Sequence, residues 1–128
     1  MKPKHILVID DEGVICDGCR LVLTEKGYVV EQCLSGMEGL KAIRTGAFDV
    51  ILLDMKLADM DGMEILQALK GKEPLPCVIV MTGYATMANA VQAMKLGADV
   101  YLAKPFTYDE LISSIETACL KKQQGKSI

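Results

Sequence analysis

Residues 49–62 read DVILLDMKLADMDG. Four apolar residues, Val50 to Leu53, run unbroken into Asp54, and Asp59 and Asp61 follow close behind. A short apolar run that is continuous rather than alternating suits a strand covered on both faces. Asp54 is then carried to the rim of a sheet on a rigid arm.

Four further runs have the same character: HILVI (5–9), YVVEQC (28–33), PCVIVM (76–81) and DVYLA (99–103). Between them the apolar period changes to that of a helix. The spacing predicts helices over 14–26, 36–45, 62–70, 85–96 and 108–121. Their inward residues are expected to be Ile15, Cys19 and Val22, then Leu40 and Ile43, then Ile65, Leu66 and Leu69. The fourth should bury Met87, Val91 and Met94, and the fifth Leu111, Ile115 and Ala118. Ser35 and Asp61 are placed as N-caps, Thr107 with Glu110 as a capping box, and Lys26-Gly27 as a C-cap. Five strand–helix repeats predict an α/β fold, a doubly wound parallel sheet flanked by helices. Residues 1–121 form one domain in this reading, and 122–128 are a polar tail or the start of a linker.

The chain has 128 residues, enough for one domain, and 51% of them are hydrophobic, enough for a sizeable core. Aromatics are 5%, Trp is absent and the net charge is −3, a composition opposed to a nucleic-acid reader. The opening MKPKHILVIDDEG has too short an apolar run for a signal peptide, and no stretch reaches a membrane span, so a cytoplasmic location is expected. The five cysteines read as reduced packing residues. Cys16-Asp17-Gly18-Cys19 matches C-x-x-C but falls inside a helix, and no second pair completes a zinc set. Cys19 is expected inside and Cys16 near the surface. His5 starts a strand, far from any site.

In open α/β sheets ligands bind beyond the carboxyl ends of the strands. Those ends carry Asp10-Asp11-Glu12, Asp54, Met81-Thr82-Gly83 and Ala103-Lys104-Pro105. Carboxylates of this kind hold a hard cation through oxygen, and Mg²⁺ fits. Asp10 and Asp11 are like charges that need a cation. Thr82 can donate to a phosphoryl oxygen and Lys104 can pair with phosphate or with Asp54. Asp54, alone at its strand end, is the candidate nucleophile toward phosphorus. Asp59 and Asp61 read as turn and cap residues, and Met55, Met60 and Met63 as packing beside the loop.

The stretches ILVIDDE, DVILLDMKLADMDG, VIVMTGYA and GADVYLAKPF together resemble the receiver domain of bacterial two-component response regulators, over residues 5 to about 120. The resemblance implies a flavodoxin-like, five-stranded sheet in the order 2-1-3-4-5 with five helices. It implies phosphoryl transfer from a cognate sensor histidine kinase to Asp54, with self-catalysed phosphorylation and dephosphorylation rather than conventional turnover. Asp11 would ligate Mg²⁺ directly and Asp10 largely through water, with Asp54 and the Lys56 carbonyl as further ligands. Thr82 and Tyr101 would be the switch pair and Lys104 the phosphate-facing lysine. Lys56 and Tyr84 occupy the variable positions flanking the site. One departure is Ala58, where many receivers have proline, which leaves the 55–60 loop less constrained.

MTGYATMANAVQAMKLGA most resembles receivers of nitrogen-regulation-type ATPase transcription activators, which implies ATPase or DNA-binding output modules outside this chain. The fourth helix, fifth strand and fifth helix would form the output face and a homodimer surface, with helix one as the rival face. Other functions fit less well. An aspartate-nucleophile phosphatase needs a second Asp where Lys56 stands, and a flavodoxin would not place acids after its first strand. A pseudo-receiver, acting as a phosphorylation-independent interaction module, would lack one of the acids, the Thr or the Lys.

Overall fold

The computed structural model describes residues 4–72, 74–83 and 87–126, without the side chains of Met87 and 122–126. In chain order the elements are β1 (His5–Ile9), α1 (Gly13–Glu25), β2 (Val29–Cys33), α2 (Gly36–Thr45) and β3 (Val50–Asp54). There follow α3 (Gly62–Leu69), β4 (Cys77–Thr82), α4 (Met87–Lys95), β5 (Val100–Ala103) and α5 (Tyr108–Lys126). The strands pair in parallel in the order β2-β1-β3-β4-β5, as the resemblance implied.

Strict alternation along the inner strands fills two cores. Ile6, Val8, Val50, Leu52, Ile79 and Met81 face α1 and α5. Leu7, Ile9, Ile51, Leu53, Val78 and Val80 face α2, α3 and α4. Both faces are covered, so both alternating sets stay apolar until the strand ends, and the runs read as continuous. Burying each Leu or Ile contributes about 1.5–3 kcal/mol, which fixes the register.

The expected caps form. The Ser35 hydroxyl accepts from the Glu38 N–H, Asp61 and Glu64 make a capping box, and Thr107 and Glu110 make another. Gly27 leaves α1 at φ +91°, a conformation that side chains resist. On α3 and α5 the inward residues are those expected.

Three expectations need correction. Cys16 is fully buried, not near the surface, because α1 turns Cys16, Cys19 and Leu23 inward and leaves Ile15 and Val22 only half-buried. On α4, Val91 and Met94 are 45% and 39% exposed, and the small Ala93 is buried in their stead. That helix is rotated relative to its apolar stripe. Third, α5 continues beyond residue 121 to Lys126, because its apolar stripe ends before its backbone hydrogen bonding does. Tyr84, the Ala85 start of the fourth helix and the last residues of the tail, 127–128, lie outside the described residues.

All five cysteines are free. Burial pushes the Cys16 thiol up to about 12 and those of Cys19 and Cys33 to about 11, so the C-x-x-C pair is held as inert thiols. Among the described residues, no helix is long and apolar enough to cross a membrane.

Candidate functional site

The alternation that builds the two cores also sorts the polar residues at the strand ends. Asp10, Asp54 and Lys104 continue the set that faces α1 and α5. Thr82 and Tyr101 belong to the opposite set. The first three residues meet directly. Lys104 Nζ stands 2.7 Å from Asp10 Oδ2, 3.3 Å from Asp54 Oδ2 and 3.2 Å from Glu12 Oε1.

Each partner is fixed from its own element. Asp10 is fully buried, its backbone N–H donates to the Cys33 carbonyl, and its Oδ1 accepts from the Glu12 N–H at 2.9 Å. Asp54 is 4% exposed, and its Oδ1 accepts from the Lys56 N–H at 3.0 Å. The Lys104 N–H donates to the Thr82 carbonyl, which fastens the lysine to the end of β4. Burial raises the Asp54 pKa; the Lys56 N–H opposes this, Asp10 adds to it, and Lys104 opposes it. Burial would lower the Lys104 pKa, but its bonds and charge interactions with the acids hold it above the usual lysine range.

The loop after Asp54 is tied on several sides. Asp59 accepts from the Gly36 N–H at 2.8 Å and the Met37 N–H at 3.0 Å, capping α2 from a distant part of the chain. Those two bonds lower its pKa. Asp61 starts α3 and bridges to Lys56. Asp11 Oδ2 accepts from the Ala58 N–H at 2.8 Å. The loop at Ala58 is therefore more constrained than the sequence implied. Met55, Met60 and Met63 pack beside it against the second core.

Thr82 is buried at the end of β4, and Tyr101 is half-buried with a hydroxyl that finds no hydrogen-bond partner among the described residues. Both line a cavity of about 690 Å³ on the α4 side, with Met55, Met63, Asn89 and Gln92. His5 opens β1, and its N–H donates to Asp49, at the far end of the sheet from Asp54.

Asp10, Glu12 and Asp54 can each offer one oxygen within 4.8 Å of the other two. An all-carboxylate set suits a hard cation such as Mg²⁺ or Ca²⁺, so the residues fit a metal, with Lys104 as the competing charge. Of the acids named from sequence, Asp10 and Asp54 join this group, and Asp11 is drawn off to Ala58. Glu12 was not assigned a role from sequence. Its signal was its place as the third acid after β1, where it also begins α1.

The family model described as response regulator receiver domain matches residues 6–116. The transcriptional regulatory protein ZraR of Escherichia coli K12 is 38% identical over 113 residues, which are 88% of this chain and 26% of that protein. The chain thus spans about a quarter of the length of that curated relative. A crystal structure of a Burkholderia pseudomallei response regulator with a phosphorylated aspartic acid, calcium ion and citrate matches at TM-score 0.84 and 35% identity. That match covers 96% of this chain and 72% of the other. The solution structure of the beryllofluoride-activated NtrC4 receiver domain dimer matches at TM-score 0.85 and 35% identity, covering 94% and 98%.

Proposed function

This chain belongs to the response regulator receiver domain family, and we propose that Asp54 accepts a phosphoryl group from a phosphohistidine of a cognate sensor histidine kinase. The observation that carries the reading is the buried Asp54 carboxylate, held by the Lys56 N–H on one oxygen and faced by Lys104 on the other. A carboxylate oxygen of Asp54 forms the new P–O bond as the P–N bond to the donor imidazole breaks. The imidazole nitrogen keeps the electron pair and takes up a proton. Hydrolysis ends the state: water attacks phosphorus, the P–O bond to Asp54 breaks, and orthophosphate leaves. Both steps are self-catalysed.

Lys104 turns part of its charge from Asp10 and Glu12 toward the phosphoryl oxygens. The Thr82 hydroxyl donates to a phosphoryl oxygen, and Tyr101 responds across the cavity that both residues line. Mg²⁺, held by Asp54 and the acids after β1 with the Lys56 carbonyl, would neutralise charge on the transferred group. The calcium ion in the phosphorylated Burkholderia structure supports a divalent cation.

The same reading puts the protein in the cytoplasm, with residues 1–121 as the receiver and 122–128, into which α5 continues as far as Lys126, as a polar tail or the start of a linker. The curated relative ZraR is a transcriptional regulatory protein, which supports a role in transcription regulation through an output module outside these residues. The NtrC4 receiver dimer supports homodimer formation on activation, and in this reading the dimer surface is α4, β5 and α5. Acids, threonine and lysine are all in place, so nothing favours a phosphorylation-independent pseudo-receiver.

The test is incubation with Mg²⁺ and acetyl phosphate, followed by intact mass. Expected is a gain of about 80 Da that disappears in base and is absent from Asp54→Asn. A base-stable adduct on another residue, or no adduct, overturns the assignment.

A further inference from the structure

We propose that the Ala58 backbone N–H is a latch on Asp11, holding its carboxylate out of the acid cluster so that a divalent cation binds fully only as Asp11 lets go of the loop. This deepens the metal-site reading above and rests on it.

Asp11 adjoins Asp10, yet among the described residues the oxygens that could share one ion are those of Asp10, Glu12 and Asp54. Asp11 is instead bonded through Oδ2 to the Ala58 N–H at 2.8 Å, joining the turn after β1 to the loop after β3. The loop end of this bond is anchored. One residue on, Asp59 grips the start of α2 through two N–H bonds, and Asp61 caps α3. The loop cannot follow Asp11 inward without breaking those caps, so Asp11 must part from Ala58 to join a shared ion.

The donor is a main-chain group, and any residue but proline supplies it. A hydrogen bond to a half-exposed carboxylate has a modest net value, so the latch weakens cation binding by roughly two- to tenfold. A cation that does bind breaks this bond, which ties occupancy of the site to the tension on the 55–60 loop.

The experiment compares Mg²⁺ affinity by titration calorimetry for the unaltered chain, Ala58→Gly and Ala58→Pro. The glycine variant keeps the N–H and should match the unaltered chain. The proline variant loses the donor and should bind Mg²⁺ roughly two- to tenfold more tightly. Equal or weaker binding by Ala58→Pro overturns the latch; weaker binding would mean that the N–H orients Asp11 as a ligand. If Ala58→Pro does not fold, the unaltered chain decides. Its Ala58 amide proton should shift upfield with the same midpoint as Mg²⁺ binding, and an unmoved resonance at saturation overturns the proposal. Saturable Mg²⁺ binding in the absence of these effects leaves the metal site standing and removes the latch alone. Absence of saturable binding in every protein removes both.

Discussion

Lys104 Nζ lies closer to Asp10 than to Asp54, 2.7 Å against 3.3 Å. The lysine is therefore the counter-ion of the whole buried group, and Asp10 is its main partner. Removing one member of a buried ion group leaves charges unpaired, which costs about 3 kcal/mol. Lys104→Ala should lose about that much at neutral pH without metal, and millimolar Mg²⁺ should return part of it. The folded pKa of Lys104 is raised, so its contribution is complete below the ordinary value of 10.5 and fades as pH rises through the folded value. Urea unfolding of both proteins checks this. Equal stability without metal would show that the acids do not depend on Lys104.

Asp54→Asn should act in the opposite direction. Burial is the largest cause of the raised Asp54 pKa, and Asp10 adds to it against the Lys56 N–H and Lys104. A raised carboxyl pKa means that the folded state favours the protonated form. Relative to the unfolded chain, that preference stabilises below the ordinary value of 3.8 and is lost as pH rises through the folded value. Asparagine, neutral at every pH, should be more stable than aspartate at neutral pH without metal. The advantage should vanish in acid, below 3.8. Denaturant titrations across that range measure the gap, and a constant gap contradicts it.

The strand ends were legible because hydrophobic burial writes them directly: Val50 to Leu53 stop at Asp54, and β1 stops at Asp10. The five repeats, the caps at Ser35, Asp61 and Thr107, and the convergence of Asp10, Asp54 and Lys104 follow from the same rules. Helix rotation was less legible. Val91 and Met94 looked like an inward stripe, but only the tertiary contacts of α4 decide which side of a short, alanine-rich helix faces the sheet. Cys16 was misplaced for the same reason. Glu12 and the Asp11–Ala58 bond were hidden differently. One depends on how a turn folds back on Lys104, and the other uses a backbone donor that has no sequence signature.

Gly62 has a specific reason to lack a side chain. A Cβ there would lie 2.7 Å from Met55 Cα and 3.0 Å from the Asp54 carbonyl, both backbone atoms that cannot swing aside. Gly62→Ala should therefore displace the start of α3 from the end of β3, at a cost of about 2 kcal/mol, and slow phosphorylation of Asp54. Gly13 opens α1 with nothing within 4 Å of such a Cβ, so Gly13→Ala should instead stabilise by about 0.5–1 kcal/mol. Paired thermal melts separate close approach from helix propensity, and a harmless Gly62→Ala would show that α3 tolerates the shift.

Asp59 joins the 55–60 loop to α2, since its carboxylate accepts the Gly36 and Met37 N–H groups at the start of that helix. Those groups carry the positive end of the helix dipole, so the ionised form is the one bound. The Gly36 bond, then the Met37 bond, lowers the Asp59 pKa. A lowered carboxyl pKa gives stability that is present above the ordinary value of 3.8 and lost as pH falls through the folded value. Asp59→Ala should thus melt at a lower temperature than the unaltered chain at neutral pH, and the two curves should converge in strong acid. Asp59→Asn, which keeps an acceptor but no charge, should fall between them. Because the cap anchors the loop that carries Ala58, Asp59→Ala should also make the 55–60 amides exchange faster while leaving β1 and β3 unchanged. Melts that stay apart at every pH would mean that Asp59 acts through packing beside Met60 rather than through its charge on α2.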